Sequence, residues 1–498
     1  MSIGAQQDNW ITAGLTHRLY VDGAWVDSHG AEALDIINPA TEDVIARVPV
    51  ATRSDVNAAI RAARVAFDHG PWPGMTPTAR AAVLCRMADA LERRTDELVE
   101  MNIAEAGSVR AFAQTRHVAD PIRQFRHLAE HVVPGFSWET PLPSVVGTSL
   151  AQGEVRREPW GVAALVSAYN FPLFLNLCKV GPALAAGCTA VLKPAPATPL
   201  EAFVLAEVAD EAGLPPGVLN VVTGGLDAGI ELTTNRHVDI VSFTGSDDVG
   251  RAVYQQAAES LKKVVLELGG KSATVLCDDA DIDRALPSIV GGIVTQAGQG
   301  CALLTRTLVH PSRRDELVEK VVEALGRVVV GDPAQPGTTM GPLISAAQRE
   351  KVESLIATGV AEGATIAFGG GRPAGLSRGF FVEPTLFVDV DNSMEIARRE
   401  FFGPVGAVIT VCDDEEAIRV ANDSPYGLSG AVWAKDPVRA NAIARRLRTG
   451  HVSINGGGSN PHGPFGGYKQ SGLGREWGAY GLDEYLQTKS VTWSAASG

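Results

Sequence analysis

Six cysteines are spread through the chain, and Cys301 stands apart from the others. It ends the run Gln296-Ala-Gly-Gln-Gly-Cys301, where Gly298 and Gly300 strip side chains from the backbone leading to the thiol. Glycine there lets a ligand approach both the sulfur and the Cys301 backbone N–H. Taken alone, the run suits either a nucleophile or a tight structural loop. Cys85 sits among helical apolar residues, Cys277 and Cys412 end apolar strands and Cys188 enters one, so packing accounts for those four. Glu267-Leu-Gly-Gly-Lys271 puts a carboxylate at the end of an apolar run. Desolvation there raises a carboxyl pKa, which suits a general base; the alternative is an ion pair with Lys271. Tyr169-Asn170-Phe171-Pro172 sets a neutral amide at the end of another apolar segment. That amide can donate to a developing oxyanion or close an Asx turn. All three groups fall at the carboxyl ends of predicted strands, where α/β sheets place their sites.

Other patterns carry less. His127-Leu-Ala-Glu-His131 spells H-x-x-E-H with both imidazoles on one helical face. Val132-Val-Pro-Gly135 ends that segment at once, and no metal is expected. Gly270-Lys271-Ser272 lacks the glycine that a P-loop needs five residues earlier, where Val265 stands. No G-x-G-x-x-G follows a strand, no G-x-S-x-G elbow occurs, and no cysteines form a CxxC pair. The common dinucleotide fingerprint, the serine-hydrolase signature and the zinc ribbon are therefore absent.

The elements that must position these groups show as short apolar runs alternating with longer amphipathic ones. This is the pattern of an α/β fold with parallel strands. Residues 161–167, 189–192, 218–222, 240–243 and 264–266 read as buried strands with helices between most of them. A second series starts near Lys271, with strands at 273–277, 307–309, 406–411 and 452–455 and a helix reaching about residue 297. Residues 54–67 form a clear helix: Ser54 caps it, Val56, Ala59, Ile60, Ala63 and Phe67 share a face, and Gly70-Pro71 stops it. Residues 144–157 and 488–493 alternate like strands but belong to neither series. Two strands without neighbours imply a protruding ribbon, a common oligomer contact.

Composition bounds the rest. A length of 498 residues implies several units, at roughly 150 residues per domain. With 45% hydrophobic and 20% charged residues the chain is neither disordered nor a small disulfide scaffold. Its 43 basic against 57 acidic residues give a net charge of −14, poor for binding nucleic acid or an anionic membrane. Met1 to Tyr20 lacks an apolar signal core, no apolar run reaches membrane-helix length, and free thiols point to the cytoplasm.

Seven segments taken together carry a resemblance. They are Tyr169-Asn-Phe-Pro172, Lys193-Pro-Ala195, Phe243-Thr-Gly-Ser246 with Gly250, Glu267-Leu-Gly-Gly-Lys271, Gly298-Gln-Gly-Cys301, Glu400-Phe-Phe-Gly-Pro404 and Pro464-Phe-Gly-Gly-Tyr-Lys469. In order and spacing, over nearly the whole chain, they resemble the aldehyde dehydrogenase superfamily, of the NAD(P)-dependent, hydrolytic, non-acylating type. The resemblance implies that Cys301 attacks an aldehyde as the thiolate, with Asn170 and the Cys301 N–H holding the oxyanion. It implies hydride transfer to the nicotinamide and a thioester hydrolysed by water that Glu267 activates. Lys179 matches a lysine that assists proton movement; otherwise it reads as an exposed helix lysine.

For the cofactor, the resemblance implies Lys193 at the adenine ribose, the Gly245-Ser246 turn and its helix N-terminus at the pyrophosphate, Glu400 at the nicotinamide ribose and Phe402 beside it. Many NAD-preferring members carry Glu where Pro196 stands here. No extra cation is offered to a 2′-phosphate, so NAD is expected and NADP stays open. Phe171, Phe174, Leu175, Cys178 and Phe465 would line a roomy apolar tunnel for medium or large aldehydes. With no clear Arg to hold a carboxylate, semialdehydes fit less well. Implied is an α/β architecture of two parallel-sheet domains with a small β oligomerisation arm. A variant Rossmann cofactor domain would cover 1–141 and 158–270, a catalytic domain 271–469 and the arm 142–157 and 484–498, assembling as a homodimer or homotetramer. The competing readings are a non-redox cysteine thioesterase, which leaves Lys193, Ser246 and Glu400 unexplained, and a catalytically silent NAD-binding protein.

Overall fold

The computed structural model describes residues 18–146, 150–458 and 460–494. Parts of the expected cofactor domain (1–17), arm (147–149 and 495–498) and catalytic domain (459) lie outside the described residues.

Two large sheets organise the chain. The first has eight strands in the order Ala24–Val26, Leu19–Val21, Leu219–Val221, Thr189–Lys193, Val162–Val166, Ile240–Thr244, Lys263–Glu267, Gly472–Leu473. The five from Leu219–Val221 to Lys263–Glu267 are parallel and nearly all buried, which is why they read as continuous apolar runs. The chain winds outward in both directions from Val162–Val166, so a crevice opens at the carboxyl ends of that strand and Ile240–Thr244. The two strands at one edge and Gly472–Leu473 at the other are antiparallel additions, too short to show in sequence.

The second sheet has seven strands in the order Thr365–Phe368, Thr385–Val388, Val405–Thr410, Arg306–Val309, Ala273–Leu276, Ser429–Trp433, His451–Ile454. All its pairings are parallel except that of the first strand. The helix expected at 54–67 runs Arg53–His69, and its cap is Thr52 rather than Ser54. Thr52 Oγ1 accepts the Asp55 N–H at 3.2 Å while the Asp55 carboxylate accepts the Thr52 N–H at 2.8 Å. This reciprocal box satisfies two end donors at once.

Residues 144–146 and 150–157 belong to two different strands: Glu139–Val146 and Leu150–Pro159 pair antiparallel, and Leu486–Ser494 pairs antiparallel with the second of these along its length. The two supposedly unpartnered strands are each other's neighbours. Pro141 and Pro143 sit on the edge strand, where a missing N–H is tolerated. Val145, Val146, Leu150 and Trp493 are exposed on this three-stranded sheet. Among the described residues no helix is long and apolar enough to cross a membrane.

Candidate active site

A cavity of about 680 Å³ opens at the carboxyl ends of the first sheet and takes in loops of the second. Cys301, Glu267 and Asn170 line it, as do Gly245, Ser246, Glu400 and Phe402. Phe171, Phe174, Leu175 and Phe465 form part of its apolar wall. Cys178, Lys179 and Lys193 are not among its lining residues.

The loop that presents the thiol is wound left-handed over three residues, with φ of +49° at Gln296, +51° at Ala297 and +74° at Gly298. Such backbone is strained for residues with a Cβ and persists only when its surroundings hold it. Gln296 Nε2 donates to the Ala106 carbonyl at 3.0 Å, and Gln299 Nε2 donates to the Gln296 carbonyl at 3.1 Å. At Gly298 a Cβ would lie 1.9 Å from the Gly403 carbonyl oxygen, so no side chain fits. Asn170 Nδ2 donates to the Gln299 carbonyl at 3.0 Å, tying the amide to the same loop and leaving its second N–H free to serve a ligand.

Electrostatics favour neutral forms. The Cys301 thiol is pushed well above its ordinary range, first by lost solvation and then by the carboxylates of Glu400, Glu267 and Glu476. Glu267 is 3% exposed and neither of its oxygens has a hydrogen-bond partner among the described residues. Burial, then Glu476, drives its carboxyl well above the usual range, with Lys179 and Arg475 opposing. Lys271 does not pair with it: its Nζ lies 4.3 Å from the centre of the Phe401 ring and has no hydrogen-bond partner among the described residues. Burial, followed by Arg306, brings Lys271 down to about 7.

On the other side, Ser246 Oγ accepts the Val249 N–H at 3.4 Å and caps the helix Asp247–Ala258. Thr244 Oγ1, just before it, is buried without a hydrogen-bond partner among the described residues. Glu400 accepts the Gly270 N–H at 2.9 Å and is raised to about 7, chiefly by burial. Phe402 has a φ of +53°, and Gln348 Nε2 donates to its carbonyl at 2.8 Å. Lys193 is 5% exposed, donates to the Gly224 carbonyl at 2.9 Å, and is lowered by burial to about 8.

Lys179 is not at the surface. It is fully buried, and its Nζ donates to Glu476 Oε1 at 2.8 Å and Ser242 Oγ at 3.1 Å. Glu476 and Trp477, both on the cavity wall, escaped the sequence reading. The glycine-punctuated run Gly472-Leu-Gly-Arg-Glu476 was the available signal. Arg116 also reaches the cavity, but Asp120 pairs with it at 3.0 Å. His127 and His131 have ring centres 5.0 Å apart, and among the described residues no group of three or more His, Cys, Asp or Glu is set to hold a metal.

The chain matches the model of the aldehyde dehydrogenase family over residues 25–491. A 3-succinoylsemialdehyde-pyridine dehydrogenase of Pseudomonas sp is 43% identical over 95% of this chain and 97% of its own length. A geranial dehydrogenase of Castellaniella defragrans is 41% identical over 95% and 98%. Among solved structures, an aldehyde dehydrogenase of Mycobacterium tuberculosis complexed with NAD+ superposes with a TM-score of 0.93, at 45% identity, over 96% of this chain and 98% of that one. Likeness of this depth, running through every segment that builds the cavity, establishes that the chain belongs to the aldehyde dehydrogenase family, the oxidoreductases that turn aldehydes into carboxylic acids.

Proposed function

We propose that this chain oxidises medium or large apolar aldehydes to free acids with NAD. The observation that carries the reading is the meeting of Cys301, Glu267 and Asn170 in one largely apolar cavity that also takes in Ser246 and Glu400.

In this reading Cys301 Sγ, once deprotonated, bonds to the carbonyl carbon, and the oxyanion of the thiohemiacetal accepts from Asn170 Nδ2 and the Cys301 backbone N–H. Bound NAD supplies the hydride acceptor. Collapse of the oxyanion as the aldehyde hydrogen leaves gives a thioester on Cys301. Glu267 then takes a proton from water, which attacks the thioester carbon, breaks the C–S bond and frees the acid. A carboxyl with a raised pKa is a stronger base than an exposed one, which suits this step. Lys179 and Glu476 act on this base through charge, the ammonium lowering and the carboxylate raising the proton affinity of Glu267.

The dinucleotide fits the residues present: a capped helix N-terminus at Ser246, a Thr244 hydroxyl without a partner among the described residues, and Glu400 all line the one cavity, with Lys193 outside its lining. The relative crystallised with NAD+ supports the same cofactor. Pro196 is exposed and adds no charge toward a 2′-phosphate. The aromatic wall, and the pairing of Arg116 with Asp120, favour apolar over carboxylated substrates, as does likeness to a geranial dehydrogenase. The test is reduced-nicotinamide absorbance over an aldehyde panel with NAD and NADP in parallel. Hexanal and larger or aryl aldehydes are expected to exceed acetaldehyde in kcat/KM by at least about tenfold, since each buried methylene contributes ~0.8 kcal/mol. Constants favouring only two- or three-carbon or carboxylated aldehydes would overturn the substrate class.

The domain layout follows the same reading: a cofactor domain over 1–141 and 158–270, a catalytic domain over 271–469, and an arm over 142–157 and 484–498. The exposed apolar residues of the three-stranded sheet support assembly through that arm into a dimer or tetramer. Deleting residues 488–498 should lower the mass seen by light scattering; an unchanged mass removes the arm from the assembly. Six free thiols, one of them the nucleophile, suit the reducing cytoplasm.

A further inference from the structure

Side chains from separate parts of the chain meet behind the wall of the active-site cavity. His117 is fully buried in a π-helical turn, Ala113–Ala119, a wide turn that is rare and recurs at functional sites. Its ring stacks on Phe171 at 4.6 Å with the planes 4° apart, and Phe112 meets both rings edge to face. Asn102 Nδ2 donates to Glu201 Oε1 at 2.8 Å and to His117 Nδ1 at 3.2 Å. With Nδ1 accepting, the proton of the neutral ring sits on Nε2. That N–H faces Ser108 Oγ at 3.5 Å. Burial holds the ring neutral by lowering it to about 3, with the Gln296 side chain opposing.

Phe171 and Gln296 adjoin the two groups that the chemistry needs. Phe171 follows Asn170 in the chain, and Gln296 starts the left-handed turn that leads to Cys301. Gln296 Nε2 is taken by the Ala106 carbonyl. Gln296 Oε1 is buried short of a well-aligned hydrogen bond among the described residues, so the His117 N–H is the donor at hand. We propose that His117 is a positioning residue for the oxidation: its ring sets Phe171, and with it Asn170, while its Nε2–H steadies Gln296 and the loop that presents Cys301. The proposal rests on the roles given above to Cys301 and Asn170. It adds a group that is absent from the cavity wall and acts through others. The bond from Asn170 Nδ2 to the Gln299 carbonyl ties the two segments at the front, and His117 ties them again from behind. A phenyl ring would fill the same space without burying two polar nitrogens, which are costly unless bonded. Only a ring with a donor can join an aromatic stack to a loop amide.

The test compares His117→Phe, which keeps the stack and removes both nitrogens, with His117→Gln, whose amide restores a donor toward Gln296. The first-turnover burst of reduced nicotinamide should slow roughly ten- to hundredfold in His117→Phe, as small misplacements of reacting groups do. KM for aldehyde and for NAD should stay within about twofold, because no contact to either is removed. His117→Gln should recover the burst to within about fivefold of the unaltered protein. Labelling of Cys301 by iodoacetamide, read by mass spectrometry, needs no substrate, so it tests the loop independently of whether the chain oxidises any aldehyde offered. It should quicken about threefold or more in His117→Phe, because a loosened loop loses the burial that holds the thiol protonated. A labelling rate within about twofold of the unaltered protein's in folded His117→Phe overturns the proposal. So does an unslowed burst, or a His117→Gln variant as slow as His117→Phe. Should His117→Phe not fold, Gln296→Met removes the contact from the loop side and should slow the burst by a similar factor. An unchanged burst there overturns the proposal as well.

Discussion

Cys301→Ala should abolish aldehyde oxidation, lowering kcat by roughly four orders of magnitude or more, as loss of a covalent nucleophile does elsewhere. Cofactor affinity measured by calorimetry should stay within about twofold, because no step of binding needs the sulfur. The size of the effect follows from the surroundings. Lost solvation and three carboxylates hold the thiol protonated in the free site. No other cysteine lines the cavity, so nothing can take its place. The sign of the pH dependence follows as well: with a raised thiol pKa, the thiolate fraction and the acylation rate climb as pH rises. Stopped-flow absorbance reads both effects. Residual turnover above about a hundredth of the original, with cofactor still bound, would mean another group attacks the carbonyl.

Glu267→Gln should separate the two halves of the reaction. Loss of a general base costs about 10²- to 10⁴-fold, and that loss should fall on steady-state kcat. The first turnover should survive as a burst close to one equivalent of reduced nicotinamide per site, because thioester formation precedes the water step. A carboxyl raised by burial and by Glu476 becomes an effective base only as pH rises through its titration, so the hydrolysis rate should increase with pH. In the glutamine variant that increase should flatten. A variant that loses the burst along with kcat would assign Glu267 to deprotonating Cys301 instead.

Much of this was legible in the residues because burial on both faces writes itself plainly. Strands Val162–Val166 and Ile240–Thr244 are apolar throughout, and the glycines before Cys301 announce a backbone that must run close to something. Gly298 has an atom of Gly403 where its side chain would go, a constraint that local sequence signals but cannot locate. Other features have no local signal. Lys179 and Glu476 lie 297 residues apart, and neither alone says that the other will neutralise it in the core. A two-residue strand such as Gly472–Leu473 has too few positions for any period to show. The cap at Thr52 was misplaced because Ser54 is an equally good cap by type, and only the Asp55 carboxylate decides between them.

The position of Gly472–Leu473 sets a timetable. Its neighbour in the sheet, Lys263–Glu267, is translated long before it, with the entire second sheet in between. At 5–20 residues per second, roughly ten to forty seconds pass on the ribosome before the edge beside Glu267 can be sealed. Through that interval the Lys179 ammonium has no Glu476 to meet, and an unpaired buried cation keeps the region from closing. A message cut short before this point yields a chain with both sheets nearly made and one edge still open, the kind of product that chaperones and proteases intercept.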